Sequence, residues 1–485
     1  MYKVLTSLLL LLVISACGDD FLEKKPLGQL TSDNFFQTEE HAVFATNATY
    51  NILRDWQVSV FAYIGLTDII SDDAVKGSTP TDASFLIDID NYTFDASNIA
   101  FANVWEGYYQ GIYRANLAIQ RIPEIAEMDE ELRQRLLAEN HFLRGYFYFN
   151  LVRWFGGVPL ITAPLPPTAI EQTRATEAAV LDQIAADWEL ASDRLPARYP
   201  SDDVGRVTKG AADGMLARLA LWRGDYENTL RYAEALINSG EYALLPRYQN
   251  IFTEAGENSS ESVFEVQAAA LEVGGGGSQY NEVQGVRGTP NLGWGFNGPS
   301  DDLVSHYEPG DPRRDATILF VGEVLPDGSD IVQDNPQVQG ERYNQKAWVP
   351  EHPGGNGNGP GNIRVLRYAD VLLMAAEALN ELGRPAEALD YLNAVRARAR
   401  GTSTSVLPDV TTTDQSALRD LIWRERRSEL AMEQQRWWDL KRQGRLAERM
   451  EAIGTSFERG KHERLPIPQT EIDLSAGALE QNAGY

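Results

Sequence analysis

Two stretches far apart in the chain share one plan, and it restricts the possible fold more than any other feature. Ala217-Arg218-Leu219-Ala220-Leu221-Trp222-Arg223-Gly224-Asp225-Tyr226 is followed by Ala233 and Ala235, and Ala376-Glu377-Ala378-Leu379-Asn380-Glu381-Leu382-Gly383-Arg384-Pro385 by Ala388 and Leu389. In each, apolar residues at helical spacing run into a glycine and then resume, which is the pattern of two helices joined by a tight turn. The glycine serves the turn, and the alanines let the paired helices approach closely. Such a pair cannot bury its apolar face alone, so two copies imply a stack of pairs.

Both copies approximate the tetratricopeptide helix-turn-helix pattern, and helices expected over 130–155 and 175–194 supply further members. The spacing of Ala42, Phe44, Ala45, Ala48, Ile52 and Leu53 predicts a first helix from Glu39 to near Trp56. Trp105, Tyr108, Tyr109, Ile112, Tyr113, Leu117 and Ile119 predict a second that exits at Pro123, and Glu130 to Phe155 reads as a long one stopped by Gly156-Gly157. Helix is expected again from Arg364 to Arg400 and from Ser416 to Arg442. Residues 255–362 differ: Gly274 to Gly277, Gly285, Gly288, Gly293, Gly295, Gly298 and the run Pro353 to Gly361 leave little periodicity, with short strands such as Ser262 to Gln267. The predicted fold class is mostly α, a tetratricopeptide-like helical-repeat scaffold with an irregular loop-rich part containing short strands. Ligands are met most often on long loops carried by such a scaffold.

The N-terminus states where the chain works. Lys3 and the apolar run Leu5 to Ile14 form a segment too short to span a bilayer, which takes about 20 residues. Ile14-Ser15-Ala16-Cys17 then fits a bacterial lipobox, with Cys17, the single cysteine of the chain, as the residue to be lipidated. The expected organisation is a signal peptide over 1–16, a lipidated tether over 17–32 and one domain over 33–485. Within that domain the helical scaffold covers about 33–254 and 363–445, the loop-rich insertion about 255–362, and a C-terminal segment 446–485.

Composition narrows the function. Seventy acidic against 43 basic residues give a net charge of −27, a field that repels phosphates and argues against nucleic acid, leaving a neutral ligand as the natural expectation. With one cysteine no intramolecular disulfide forms, so stability rests on burial. Gly293-Trp294-Gly295-Phe296-Asn297-Gly298 matches a dinucleotide fingerprint in form only, because Pro299 interrupts and no strand-helix unit follows. The histidines (His41, His141, His306, His352, His462) are scattered without zinc-ligand spacing, and no Gly-x-Ser-x-Gly elbow occurs. Paired carboxylates carry no information in so acidic a chain. No catalytic residue, metal ligand or cofactor is expected.

Several ordered blocks remain. They are Ser32-Asp33-Asn34-Phe35-Phe36, Ser71-Asp72-Asp73-Ala74, Tyr109-Gln110-Gly111-Ile112-Tyr113-Arg114-Ala115-Asn116, Ala138 to Phe149, Asp311-Pro312-Arg313-Arg314, Arg367 to Leu373, Glu425-Arg426-Arg427-Ser428-Glu429-Leu430, Arg436-Trp437-Trp438-Asp439-Leu440-Lys441-Arg442, Leu465-Pro466-Ile467-Pro468 and Gln481-Asn482-Ala483-Gly484-Tyr485. In these blocks, and in its lipobox, the chain resembles the SusD/RagB family of Bacteroidetes outer-membrane nutrient-binding lipoproteins. The acidic Gly18-Asp19-Asp20 after Cys17 resembles the surface-export signal of Bacteroidetes lipoproteins. The resemblance implies about four tetratricopeptide-like helix pairs against a loop-rich part. It implies a lipid-anchored protein on the outer face of the outer membrane, capturing oligosaccharide for a SusC-like TonB-dependent transporter. An oligopeptide-binding member of the same system, or a helical scaffold binding only protein, are the alternatives.

Most of the blocks read as structural. Arg426 and Glu429, Glu433 and Arg436, and Arg436 and Asp439 are three apart, a stripe supporting one helix by roughly a few tenths of a kcal/mol per pair. Tyr146, Phe147, Tyr148, Phe149 and Trp154 read as core, and Asp72 as bracing a turn. Sugar binding needs exposed aromatic faces with polar groups for the hydroxyls. Trp294 and Phe296, set among glycines, lead the candidates, with Tyr280, Arg287 and Asn291 nearby. The resemblance adds the loop after the Ser-Asp-Asp block, here holding Phe85, Asn91 and Tyr92; Trp56 and Trp348 are weighted toward packing, Trp56 being kept as a candidate.

Overall fold

The computed structural model describes residues 35–166, 168–169, 171–271, 275–352 and 357–485. The signal, Cys17 and the 17–32 tether lie outside the described residues, as do Gly274 and the start of the Pro353 to Gly361 run.

Helices α1 (Glu39–Ile52), α2 (Ile99–Arg121), α3 (Glu130–Phe155), α4 (Glu177–Arg194), α5 (Lys209–Arg223), α6 (Tyr226–Asn238) and α7 (Tyr368–Glu381) follow one another in space as they do in sequence, each packed on the next. Helix α7 also packs on α8 (Pro385–Arg400) and α9 (Gln415–Leu430). The result is mostly α and tetratricopeptide-like. Local chemistry sets the ends: the side chains of Thr176, Thr208, Asp225 and Asp414 accept from backbone amides in the first turns of α4, α5, α6 and α9, each cap being worth about 1 kcal/mol. The turns between α5 and α6 and between α7 and α8 pass through Gly224 (φ +70°) and Gly383 (φ +75°), left-handed positions that a Cβ would strain although open space surrounds both.

Helix α3 is the hub. From Ala138 to Phe155 nearly every side chain is buried, including Tyr146, Phe147, Tyr148, Phe149 and Trp154. Its buried Arg144 grips Asp187 of α4 with two bonds, at 2.8 and 2.6 Å.

Among the described residues the loop-rich part is organised by three two-stranded antiparallel sheets: β1 (Ala74–Gly77) with β3 (Phe296–Pro299), β2 (Ser262–Val266) with β6 (Ile363–Arg367), and β4 (Ile318–Phe320) with β5 (Arg342–Asn344). Two expectations are corrected here. Arg364 to Arg367 begins no helix; it is the strand that pairs Ser262 with Arg367 and Val266 with Ile363. The helix expected from Ser416 to Arg442 breaks after Leu430 and resumes only as α10 (Arg436–Arg442), with Met432 (φ +61°) and Gln434 (φ +59°) in left-handed conformations.

Buried charge explains the break. The residues expected to brace one helix pair instead between segments. Glu429, fully buried, accepts from Arg398, from Arg367 at 3.1 Å and from Arg313 at 3.2 Å. Arg367 also holds Glu261 at 2.7 Å and Glu433 at 2.7 Å, and Arg313 holds Asp311 at 2.8 Å and Glu425 at 2.6 Å. Asp370 joins Arg218 at 2.6 Å to Arg426 at 2.7 Å. An unbroken helix would carry Glu433 past Arg367. Burial pushes the Glu429 carboxyl up, but Arg398, Arg367, Arg313 and Lys346 outweigh it and hold it down to about 2.

Removing one member of such a network strands the others. Glu429→Gln is expected to cost roughly 3–5 kcal/mol in urea unfolding. The carboxyl falls from its ordinary 4.5 to about 2 on folding, so its contribution is complete above about pH 5 and is lost as pH drops through 4.5 toward 2. A pH series of unfolding curves is expected to show a shallower acid limb in the variant.

Candidate functional site

After α1 the chain makes two short helices, Trp56–Ser59 and Phe61–Ile64, the first packed on α2. They present Trp56 and Phe61 toward the loop that precedes β3. That loop folds back on the short helix Tyr280–Gln284: Trp294 N donates to Glu282 O at 2.8 Å and Gly295 N to Gly285 O at 2.9 Å. Ser78, just beyond β1, ties the loop down by donating from its backbone to Gly295 O at 2.6 Å.

Rings from four segments meet there. Phe61 packs on Phe296 with centroids 4.8 Å apart, and Trp56 (5.1 Å), Phe85 (5.4 Å) and Trp294 (6.2 Å) surround it. Trp56 and Trp294 are 6.0 Å apart with their planes inclined at 57°. Phe61 and Phe296 are buried, whereas Trp56, Phe85 and Trp294 are half-buried. Among the described residues neither Trp56 nor Trp294 gives its indole N–H to a protein acceptor, unlike Trp154, Trp188 and Trp437, whose N–H groups are bonded. The patch thus has a buried aromatic floor and half-open rings above it.

Polar groups border it. Arg287 Nη1 donates to Ser78 Oγ at 2.6 Å, to the Asp82 carboxylate and, at 3.5 Å, to Trp294 O. Hydrogen bonds from Arg287 and Thr79 hold the Asp82 carboxyl below its usual range. Lys76 Nζ donates to Thr79 O at 2.6 Å and lies 5.5 Å from the Phe296 centroid, its ammonium pushed down by burial. Gln339 N donates to Ser78 O at 2.7 Å, bringing a third loop alongside, and Asn291 is exposed on the first.

A buried polar chain positions β3 beneath the rings. Asp68 accepts from Gln434 N at 3.0 Å, from Gln434 Nε2 at 2.8 Å and from Asn297 Nδ2 at 3.1 Å. Asn297 also donates to Gln284 Oε1 at 2.8 Å. Burial pushes the Asp68 carboxyl up to about 7.

The candidates named from sequence therefore divide. Trp56, Phe85, Trp294 and Arg287 come together, with Asn291 on the adjoining loop. Phe296, Tyr280 and Tyr92 are corrected: each is buried and offers no face to a ligand. Phe296 is packed against Phe61 on a strand buried throughout, Tyr280 accepts from Gln434 at 2.9 Å, and Tyr92 donates to Ile70 O at 2.5 Å while accepting from Trp437 at 3.1 Å. Phe85 and Asn91 lie on a helix, Ser84–Asn91, where a loop was expected. Trp348 packs against the cluster of Val286, Leu319 and Tyr343. Phe61, Ser78 and Asp82 were missed; nothing local in the sequence distinguishes them, since each acts through a partner distant in the chain. Among the described residues no grouping of three or more His, Cys, Asp or Glu suits a metal ion.

Comparison with known proteins finds two family models and several solved structures that match this chain. The SusD family model matches residues 260–485, and a model described as starch-binding associating with outer membrane matches residues 20–221. SusD-like protein P2 of Formosa agariphila is 30% identical over 523 residues, covering 100% of this chain and 99% of its own. Among solved structures, a laminarin-binding SusD-like protein is 29% identical with a TM-score of 0.78, over 93% of this chain and 100% of that one. Surface glycan-binding protein A from Bacteroides thetaiotaomicron, in complex with laminarihexaose, is 27% identical with a TM-score of 0.77, over 92% of this chain and 100% of that one.

The layering of the patch predicts different costs for its rings. Phe61→Ala is expected to lose roughly 3–5 kcal/mol of unfolding free energy as a core deletion, whereas half-exposed Trp294→Ala loses under about 2 kcal/mol. Paired urea titrations measure the difference.

Proposed function

This chain belongs to the SusD family, and from that premise we propose that it captures oligosaccharide at the outer membrane, across Trp56, Trp294 and Phe85. The observation that carries the reading is the half-open aromatic patch with unengaged indole N–H groups, bordered by Arg287, Asp82 and Asn291. A pyranose presents an apolar C–H face and a rim of hydroxyls, so it needs a flat aromatic surface and polar neighbours in one place. An apolar face alone would leave the hydroxyls without partners, and a polar cleft alone would gain nothing from the C–H face.

The resemblance to proteins named for laminarin and laminarihexaose makes a laminari-oligosaccharide the first ligand to try. In this reading Cys17 carries the lipid that tethers the domain, the bound glycan passes to a SusC-like TonB-dependent transporter, and the protein binds without turning its ligand over. Among the described residues no helix is long and apolar enough to cross a membrane.

Calorimetry with a panel of neutral oligosaccharides tests the site. Binding to at least one is expected, with Trp294→Ala weakening it about tenfold, the equivalent of one lost stacking contact. Trp56→Ala combined with Trp294→Ala is expected to abolish it. Binding unchanged in the double variant would place the ligand elsewhere, and binding of oligopeptides alone would replace the glycan reading.

A further inference from the structure

Away from the aromatic patch, and sharing no residue with it, a cavity of about 300 Å³ opens beside α9, α10 and the short helix Leu446–Ala452. Its lining is cationic, with Arg424, Arg427, Arg436, Arg445 and Arg449 around His306 and Trp423. One carboxylate, that of exposed Asp420, also lines it. This is a reversal of charge in a chain whose net charge is −27.

The arginines fall into two groups. Arg427, Arg436 and Arg449 are held by the Asp72-Asp73-Asp302 cluster: Arg436 Nε and Nη2 reach Asp72 at 2.6 and 2.8 Å, and Arg449 Nε reaches Asp72 at 2.9 Å while its Nη2 reaches Asp302 at 2.7 Å. Arg427 is fully engaged, its Nη1 reaching Asp302 at 2.7 Å, whereas the Nη1 groups of Arg436 and Arg449 are left over from these bonds. Arg424 and Arg445 form no ion pair among the described residues; Arg445 lies over the Trp423 ring, 5.7 Å from its centroid, and that ring is itself anchored by Nε1 to Glu377 at 3.0 Å. His306 shares Nε2 with Arg424 O at 3.2 Å and Ser428 Oγ at 3.1 Å. Burial, then Arg427 and Arg436, push its imidazole down to about 2, so it stays neutral and adds no charge of its own.

Fixed guanidiniums with unused donors around a small cavity match the forked geometry of an oxyanion. We infer that this cavity is a binding site for a compact oxyanion, whether inorganic sulfate or the carboxylate of an acidic sugar. The Asp72 cluster orients the inner arginines, and Arg424 and Arg445 supply the charge that those aspartates leave unmatched.

The test is calorimetry of the full chain with sodium sulfate and, separately, with glucuronate at low ionic strength, against the double variant Arg424→Gln, Arg445→Gln. Neither arginine is part of the buried network, so the thermal midpoint without added oxyanion is expected to match that of the natural chain. Saturable binding is expected for at least one anion, weakened about tenfold or more in the double variant and weakened by added sodium chloride in both. Sulfate alone would identify a free inorganic ion as the ligand, and glucuronate alone a sugar-borne carboxylate; either result upholds the site. No saturable binding of either anion, or equal affinity in the double variant, would overturn it.

Discussion

The structure depends on buried guanidinium-carboxylate pairing around α9. Glu429, Glu425 and Glu433 meet Arg313, Arg367, Arg396, Arg398 and Lys346 in the interior, and these partners come from within the loop-rich region and from the segments that follow it. Burying ions gains little net free energy against a well-packed apolar alternative, because desolvation offsets attraction. What it supplies here is geometric selection. A glycine-rich segment has many compact arrangements of similar hydrophobic content, whereas few of them place Arg313, Lys346 and Arg367 on their carboxylates at once. Arginine suits the task because its planar fork serves several acceptors in set directions; Arg367 alone bonds to Glu261, Glu429 and Glu433.

This lattice also reaches the aromatic patch. The break after α9 that lets Glu433 meet Arg367 and Lys346 places Gln434 next in line, where its backbone and side chain both donate to Asp68. Asp68 in turn takes Asn297, the residue after Phe296, and so sets the height of β3 under Phe61. Two left-handed residues in the break cost about 1–2 kcal/mol each. The buried hydrogen bonds they permit offset that cost, and an ideal helical path would forfeit them.

The parts legible in the sequence are those governed by short-range chemistry. Helical spacing and a turn glycine gave α5 to α8 their places, and Glu130 to Phe155 was readable from its apolar spacing and the Gly156-Gly157 stop, while the Asp129 cap at its start is seen in the structure. Long-range pairing was illegible. Ile363-Arg364-Val365-Leu366-Arg367 has arginines three apart and reads as helix, yet its pairing with Ser262–Val266 makes it a strand. Ala431 to Gln435 contains good helix formers and no signal of a break; the cause lies in Asp68, Lys346 and Arg367, hundreds or tens of residues away. The same limit applies to the site: Trp294 stood out among its glycines, but the burial of Phe296 was decided by Phe61, which packs on it from a distant segment.

The rings of the proposed site are held before any ligand arrives. Trp56, Phe85 and Trp294 each rest against Phe61, which is itself clamped on Phe296, so their rotamer freedom is lost on folding and not on binding. That matters for an open patch, where few contacts are available and each ordered side chain would otherwise subtract roughly 0.5–1.5 kcal/mol. In the proposed role the ligand is handed on, and a deep pocket would work against its release. Rings already packed on a buried floor allow a shallow surface to bind at all, and the same shallowness leaves the ligand free to depart.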